Sequence, residues 1–210
     1  MATKLSVFNG AMRLLGERKL LTLTDDRKPR RVLDGIWDDG FVRYVLQQGQ
    51  WKFAKRTIQA NYDPAIEPDF GYQYAIEKPS DWLRTVAIAT DEYFRAPLLR
   101  YSDEKGYWFC DYTTIYAQII SDDEEYGGNL SLWPETFTQW AESYMAVRAE
   151  PGISGNETKL ASLKRESKQL LTDARSKDAM DGAPGFAPAG SWVRSRMGRS
   201  RHPNIVVVDD

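Results

Sequence analysis

The sequence predicts an α+β protein: an antiparallel four-helix bundle with an antiparallel β insertion between its helix pairs and an extended C-terminal arm. Three observations carry that expectation. Apolar residues recur at helical spacing in residues 3–48 and again in 134–179. The helical period vanishes between 51 and 132, where Pro64, Pro68, Pro79 and Pro97 break any helix and short alternating runs replace it. Residues 181–210 hold Gly, Ala, Pro and Arg in no regular pattern. The chain divides accordingly into helices 1 and 2 (1–50), a β-rich insertion domain (51–132), helices 3 and 4 (133–180) and the arm (181–210).

Leu5, Phe8, Met12 and Leu15 place a helix over 3–16, with Gly16 as its stop. Asp25 or Asp26 is available to cap a second helix over 28–48, where Pro29 falls in the first turn and Leu33, Trp37, Phe41, Tyr44 and Val45 form the stripe. Gly35, Gly40 and Gly49 weaken it. Strands are expected over 51–60, 72–76, 84–89, 97–101, 107–112 and 114–120, with 102–106 as a hairpin loop. Pro134 opens a third helix carrying Phe137, Trp140, Ala141, Tyr144 and Met145, and Pro151-Gly152 ends it. Ser154 and Glu157 match a capping box ahead of a helix over 156–179, whose seam is Leu160, Leu163, Ser167, Leu170 and Ala174.

Composition narrows the function. Lys+Arg total 28 against 30 Asp+Glu, a net charge of −2, which fits neither a histone-like protein nor an acidic disordered tail. That balance hides a net +6 in residues 1–60 and a net −9 in residues 61–132, which also hold 14 of the 26 aromatics. Such a sheet cannot bury so many rings alone, so some are expected in protein contacts. Cys110 is the only cysteine, which excludes a disulfide framework and a thiolate zinc site, and His202 is the only histidine. No apolar run approaches a bilayer span, and residues 1–16 do not read as a secretory segment, so a soluble protein of a reducing compartment is expected.

Catalytic constellations are weak. Gly127-Gly128 lacks the strand–turn–Lys context of a phosphate loop. His202 falls in the arm, where preorganisation is poor, and Cys110 reads as a small buried hydrophobe. Asp122, Asp123, Glu124 and Glu125 form the one dense carboxylate cluster, but four consecutive carboxylates cannot all face one cation. No cofactor, metal or catalytic residue is expected. Trp192, Arg194, Arg196, Arg199 and Arg201 make the arm a gripping element for an acidic protein surface or for phosphates. Arg27, Lys28, Arg30 and Arg31 oppose the helix dipole at the start of the second helix, which hints at an acidic neighbour.

Four stretches, in this order, resemble one family. They are LSVFNGAMRLLGE at 5–17, Trp51-Lys-Phe-Ala-Lys-Arg, the aromatic run 72–84 ending in Pro79-Ser-Asp81-Trp82-Leu-Arg, and Trp133-Pro-Glu-Thr-Phe137. Over roughly 5–180 the chain resembles the head-to-tail adaptors of short-tailed bacteriophages, the tail tubular protein A family, also called gatekeeper or head-completion proteins. It departs at Trp82, where the family has a small residue.

The resemblance implies a virion structural protein without catalytic activity. It would form a homo-oligomeric ring, dodecameric in the family, between the portal protein and a tail tubular protein B-like nozzle, with genomic DNA passing through the lumen. It would reside in the phage neck, and in the host cytoplasm before assembly, with no membrane partner. On this reading Trp192 and the four arm arginines contact the portal and Asp122–Glu125 faces the nozzle. The exposed sides of helices 134–150 and 156–179 would meet ring neighbours. The alternative is a small DNA- or RNA-binding module using the arm arginines; an enzyme on the β insertion would need a convergent polar pocket.

Overall fold

Gly40 decides the helical layer. The computed structural model describes residues 2–69 and 71–181. Within it the expected second helix is two helices, α2 (Lys28–Asp38) and α3 (Phe41–Gln47). Gly40 stands between them at φ +87°, a left-handed conformation that only glycine adopts without strain, and the chain turns there. The four-helix bundle is therefore corrected to five helices. Pro29 does sit in the first turn of α2, but Arg27, not Asp25 or Asp26, takes the cap position and no side chain caps it.

The first helix, α1 (Lys4–Leu14), begins with a reciprocal cap: Thr3 Oγ1 accepts from the Ser6 amide at 3.1 Å, and Ser6 Oγ accepts from the Thr3 amide at 2.8 Å. The fourth, α4 (Glu135–Ile153), runs through Pro151, which forfeits one hydrogen bond in the last turn, and ends at Gly155 (φ +66°). The expected Ser154–Glu157 capping box does not form. The buried Glu150 carboxylate takes the Ser154 hydroxyl and the Asn156 amide instead, and the Asn156 side chain caps α5 (Glu157–Met180) by accepting from the Lys159 amide at 3.1 Å.

Helix α4 is the hub. Phe137, Trp140, Ala141, Met145, Ala146 and Ala149 are buried around more than one face, with α1 and α2 packed against it. Helix α5 buries only Leu163, Ser167 and Ala174 of its expected seam. Its polar side chains hold other helix ends: Lys159 donates to the Leu15 carbonyl, Arg175 Nε to the Gln48 carbonyl at 2.9 Å, and Asp178 accepts from the Lys52 amide at 3.0 Å.

The insertion falls within the expected 51–132 and divides into two sheets. After a 3₁₀ turn (Lys52–Ala54) come β1 (Lys55–Asn61), β2 (Tyr74–Glu77), β3 (Trp82–Ala89), β4 (Ser102–Glu104), β5 (Tyr107–Cys110) and β6 (Thr114–Ser121). They form two three-stranded antiparallel sheets, β1-β6-β3 and β2-β5-β4. Ile76, Ile88, Leu98, Trp108, Cys110, Ile115, Ala117 and Ile119 make a core of their own. Residues 97–101 are not a strand; Pro97 makes a single bridge to Ala89. The expected loop 102–106 shrinks to Lys105-Gly106, whose φ values of +48° and +85° suit the type I′ turn of a tight hairpin, so 102–104 pair as β4.

Strand β6 serves two cores. Ile115, Ala117 and Ile119 face the insertion core, while Ile120, with Leu83 of β3, joins the helical core. The seam is aromatic. Trp51 leads into the insertion and Trp133 leads out, and both close on Phe137 of α4 at ring separations of 4.8 Å and 4.7 Å, edge to face. Phe53 and Trp140 complete the cluster at 4.9 Å and 5.4 Å from the same ring. The indole N–H groups are satisfied, Trp51 by the Val45 carbonyl at 3.3 Å and Trp133 by that of Gly127 at 2.8 Å.

Phe137→Ala empties the centre of this cluster and is expected to cost about 3–5 kcal/mol. Urea unfolding followed by tryptophan fluorescence checks it: the midpoint falls while the m-value holds, and an unchanged midpoint refutes the role.

Candidate functional site

The arm residues Trp192, Arg194, Arg196, Arg199 and Arg201, with His202, lie outside the described residues. The acidic loop lies inside them, and its four carboxylates part company. Asp122 turns to the helical layer and pairs with Arg43 of α3 at 2.9 Å. Asp123 accepts from the Glu125 amide at 2.9 Å and shapes the turn. Asp123, Glu124 and Glu125 are all exposed without an ion-pair partner among the described residues, and of these only Glu124 and Glu125 make no side-chain hydrogen bond. Gly127-Gly128 folds back on the strand end: a Cβ at Gly127 would lie 2.5 Å from the Ser121 carbonyl oxygen, and one at Gly128 2.3 Å from that of Asp122. The glycines are there for close backbone approach. Among the described residues no three His, Cys, Asp or Glu side chains are placed to hold a metal ion.

Three of the four cations of the basic stripe are also spoken for, and the fourth, Lys28, is exposed. Arg27 binds Asp25 and the carbonyls of Arg18 and Lys19, at 3.0, 3.1 and 2.8 Å. Arg30 pairs with Asp34 at 2.6 Å and donates to the Asp25 carbonyl at 2.8 Å, and Arg31 lies 3.7 Å from Asp26. These cations fasten the α1–α2 connection, so they need no acidic partner outside the chain. Cys110 is buried in the insertion core and faces the Tyr112 carbonyl at 3.3 Å; burial raises its thiol pKa, which disfavours the nucleophilic thiolate.

Two polar clusters lock the insertion. Burial by itself would raise the Asp81 carboxyl, but the Ser121 hydroxyl and the Arg56 guanidinium at 2.7 Å outweigh it and hold the pKa below its ordinary value. Lys78 is 5% exposed at its side chain; its ammonium lies 3.8 Å from the Trp82 ring and pairs with Asp103. Thr85 Oγ1 accepts from Trp82 at 3.1 Å and Trp108 at 2.9 Å. Trp82 is thus a wall of this cluster. In the helical layer the Glu142 carboxylate fills the space over Gly10, where a Cβ would lie 1.9 Å from its Cδ. Burial raises the Glu142 pKa; Arg13 at 3.2 Å lowers it in part, and Glu135 raises it.

The open concavities are grooves between elements. One of about 210 Å³ lies among α3, α4 and α5, floored by Trp140, Val147 and Leu171 and rimmed by Lys164 and Lys168. Another of about 440 Å³ is lined by Ala2, Thr3, Glu124, Leu130 and Ser131.

The sequence reading missed the connection 90–101 between β3 and β4. The Asp91 carboxylate accepts from the Arg95 and Ala96 amides at 3.0 and 2.7 Å, and these backbone bonds lower its pKa. Leu98 is buried, and its amide bonds the Ile88 carbonyl at 2.8 Å. Leu99 is 89% and Tyr93 69% exposed. The signal was in plain sight: YFRAPLLRY at 93–101 is a basic, acid-free run inside the acidic third.

No family model matches the chain, and no curated protein matches it. No helix among the described residues is long and apolar enough to cross a membrane.

The two carboxylates titrate in opposite senses. Asp81, depressed in the fold, stabilises above its unfolded value near 3.8, and that contribution is lost as pH falls through its lowered pKa. Asp81→Asn is expected to cost about 2 kcal/mol at pH 7. Glu142, raised in the fold, burdens the native state at neutral pH, and the burden lifts as pH falls through its raised pKa toward 4.5. Glu142→Gln is expected to raise Tm at pH 7 and to abolish the gain on acidification toward 4.5. A series of thermal melts from pH 7 to 3 measures both, and a Glu142→Gln curve parallel to wild type refutes the second.

Proposed function

We propose that the chain is a structural adaptor that forms a ring between a phage portal and its tail nozzle and lets DNA pass through the centre. The observation that carries the reading is the convergence of the family-like motifs. Trp51 and Phe53 from one stretch and Trp133 and Phe137 from another pack into a single cluster that joins a β insertion to a helical layer. Those residue types serve one physical purpose there, and the resemblance rests on the same residues. An inserted β layer on a helical layer gives each copy two chemically different ends, which suits a connector between unlike partners.

Helix α5 is the face we assign to ring neighbours, because it lies on the outside and buries only three of its residues. Helix α4, a second candidate from the sequence, is enclosed by its own neighbours and offers little surface. The arm 181–210 would add the portal contact, through Trp192 and its arginines. Docking on a portal ring would align neighbours and raise their effective concentration, so the subunit would be a monomer until a portal is present.

Negative-stain imaging and mass measurement of the chain, alone and with portal rings, test the reading. A monomer that forms capped rings only with portal supports it, and deletion of 181–210 is expected to abolish capping while Tm is retained. A chain that ignores portal but shifts DNA at low salt, with the shift lost on deleting 191–203, replaces it with the nucleic-acid module.

A further inference from the structure

We infer that the 90–101 loop is a docking finger for a second copy of this chain, seating Leu99 in the groove bounded by Thr3, Glu124, Leu130 and Ser131. The inference rests on the ring reading and names the contact.

The finger is built to protrude. Its base is tied by the Pro97–Ala89 bridge and by Leu98, which anchors in the insertion core. Its crown is tied by the two amide bonds to Asp91. Phe94 is held at φ +56°, a conformation a phenylalanine rarely adopts unless its surroundings impose it. Ordering is therefore complete before any partner arrives, which removes an entropic cost from binding. What it holds outward is Leu99, Tyr93, Arg95 and Arg100. Neither arginine has an ion-pair partner among the described residues; Arg95 lies over the Tyr93 ring at 5.3 Å and Arg100 over Tyr72 at 5.9 Å. Tyrosine and arginine are the residue types that dominate interface hot spots.

The groove is the matching half. It has about 440 Å³ of open space, the partly buried Leu130 on its wall and the exposed Leu132 next to it. Glu124 lines it and Glu125 adjoins, the two members of the acidic loop not spent inside the chain. A leucine tip beside Arg95 and Arg100 meets a mixed groove, in which Ala2 and Leu130 stand among Thr3, Asn129 and Ser131 and Glu124 lines the wall; the loop's own carboxylates are engaged, Asp91 by the Arg95 and Ala96 amides and Glu92 by the Tyr93 hydroxyl. A nucleic acid would use the arginines but leave Leu99 unmatched.

The two surfaces lie toward opposite ends of the β3–β6 pair, where Ala89 stands opposite Tyr116 and Trp82 opposite Ser121. A patch and its complement at different places on one chain make a heterologous contact, which generates a closed ring or an open chain and not a two-fold dimer.

Cross-copy disulfide trapping in the full chain tests this, with the buried Cys110 left in place. Leu99→Cys mixed with Ser131→Cys is expected to give about tenfold more cross-linked dimer than Leu99→Cys mixed with Thr24→Cys, an exposed residue of the α1–α2 connection assigned to no interface. The variant carrying both Leu99→Cys and Ser131→Cys is expected to give a ladder. Adding R95E and R100E to the first partner should suppress the yield about tenfold, and E124K with E125K in the second should restore it. Trapping no better than the control, or loss without restoration, overturns the inference. Portal-bound rings that assemble without this cross-link overturn it and leave the adaptor reading standing. A ladder from a chain that ignores portal does the reverse.

Discussion

Everything in the described fold hangs on one ring. Phe137 projects from the hub helix into four other aromatics, and two of those, Trp51 and Trp133, mark where the insertion leaves and re-enters the helical layer. An inserted domain faces a particular difficulty: its two strands of connection must come together, and each indole brings an N–H that cannot be buried unpaired. Both are paired here with backbone carbonyls. The edge-to-face geometry fixes direction as well as contact, so the cluster sets how the β layer leaves the helices.

Around that seam, charge is used to fasten. Arg43–Asp122 and Arg56–Asp81 tie the ends of elements at the junction, and the cations of α5 bind the terminal carbonyls of α1 and α3. Of the twelve cations of residues 1–60, Lys4, Arg27, Arg30 and Arg31 pair within that third, through Asp25, Asp26 and Asp34, and Arg13, Arg43 and Arg56 pair with carboxylates beyond it. The uneven charge distribution along the chain is therefore mostly internal architecture. Among the charges without an ion-pair partner, Arg95 and Arg100 on one side and Glu124 and Glu125 on the other are of opposite sign and stand near the exposed Leu99 and Leu132. Those residues are where the chain has surface chemistry to spend on another molecule.

Much of the helical layer was legible from spacing alone. The stripes of α1 and α4 and the seam of α5 lie on the faces that periodicity selects, because burying one face of a helix requires that period. The errors have identifiable causes. Gly40 read as a weak point of one helix and is the turn between two, since propensity does not say whether a glycine is tolerated or used. The run 97–101 looked like a strand because it is apolar, yet Leu98 alone is buried, Tyr101 is half-buried against the same core and Leu99 is left outside. The capping box at Ser154 and Glu157 was displaced by Glu150, a residue four before the serine whose buried carboxylate outcompeted it. The acidic cluster 122–125 read as one feature and divides into two residues used for structure and two left at the surface.

Local pattern determined most of the helical segments and where the insertion begins and ends, because each of these follows from neighbours a few residues apart. Tertiary structure alone decided that the strands form two sheets with a core of their own, that β6 serves both cores, and which charges are consumed. Those outcomes depend on partners distant in sequence, as with Arg43 and Asp122 or Glu142 and Gly10. A charge or an exposed leucine is identical in the sequence whether or not something covers it. Only the packed chain distinguishes a side chain already answered from one still offered to a partner.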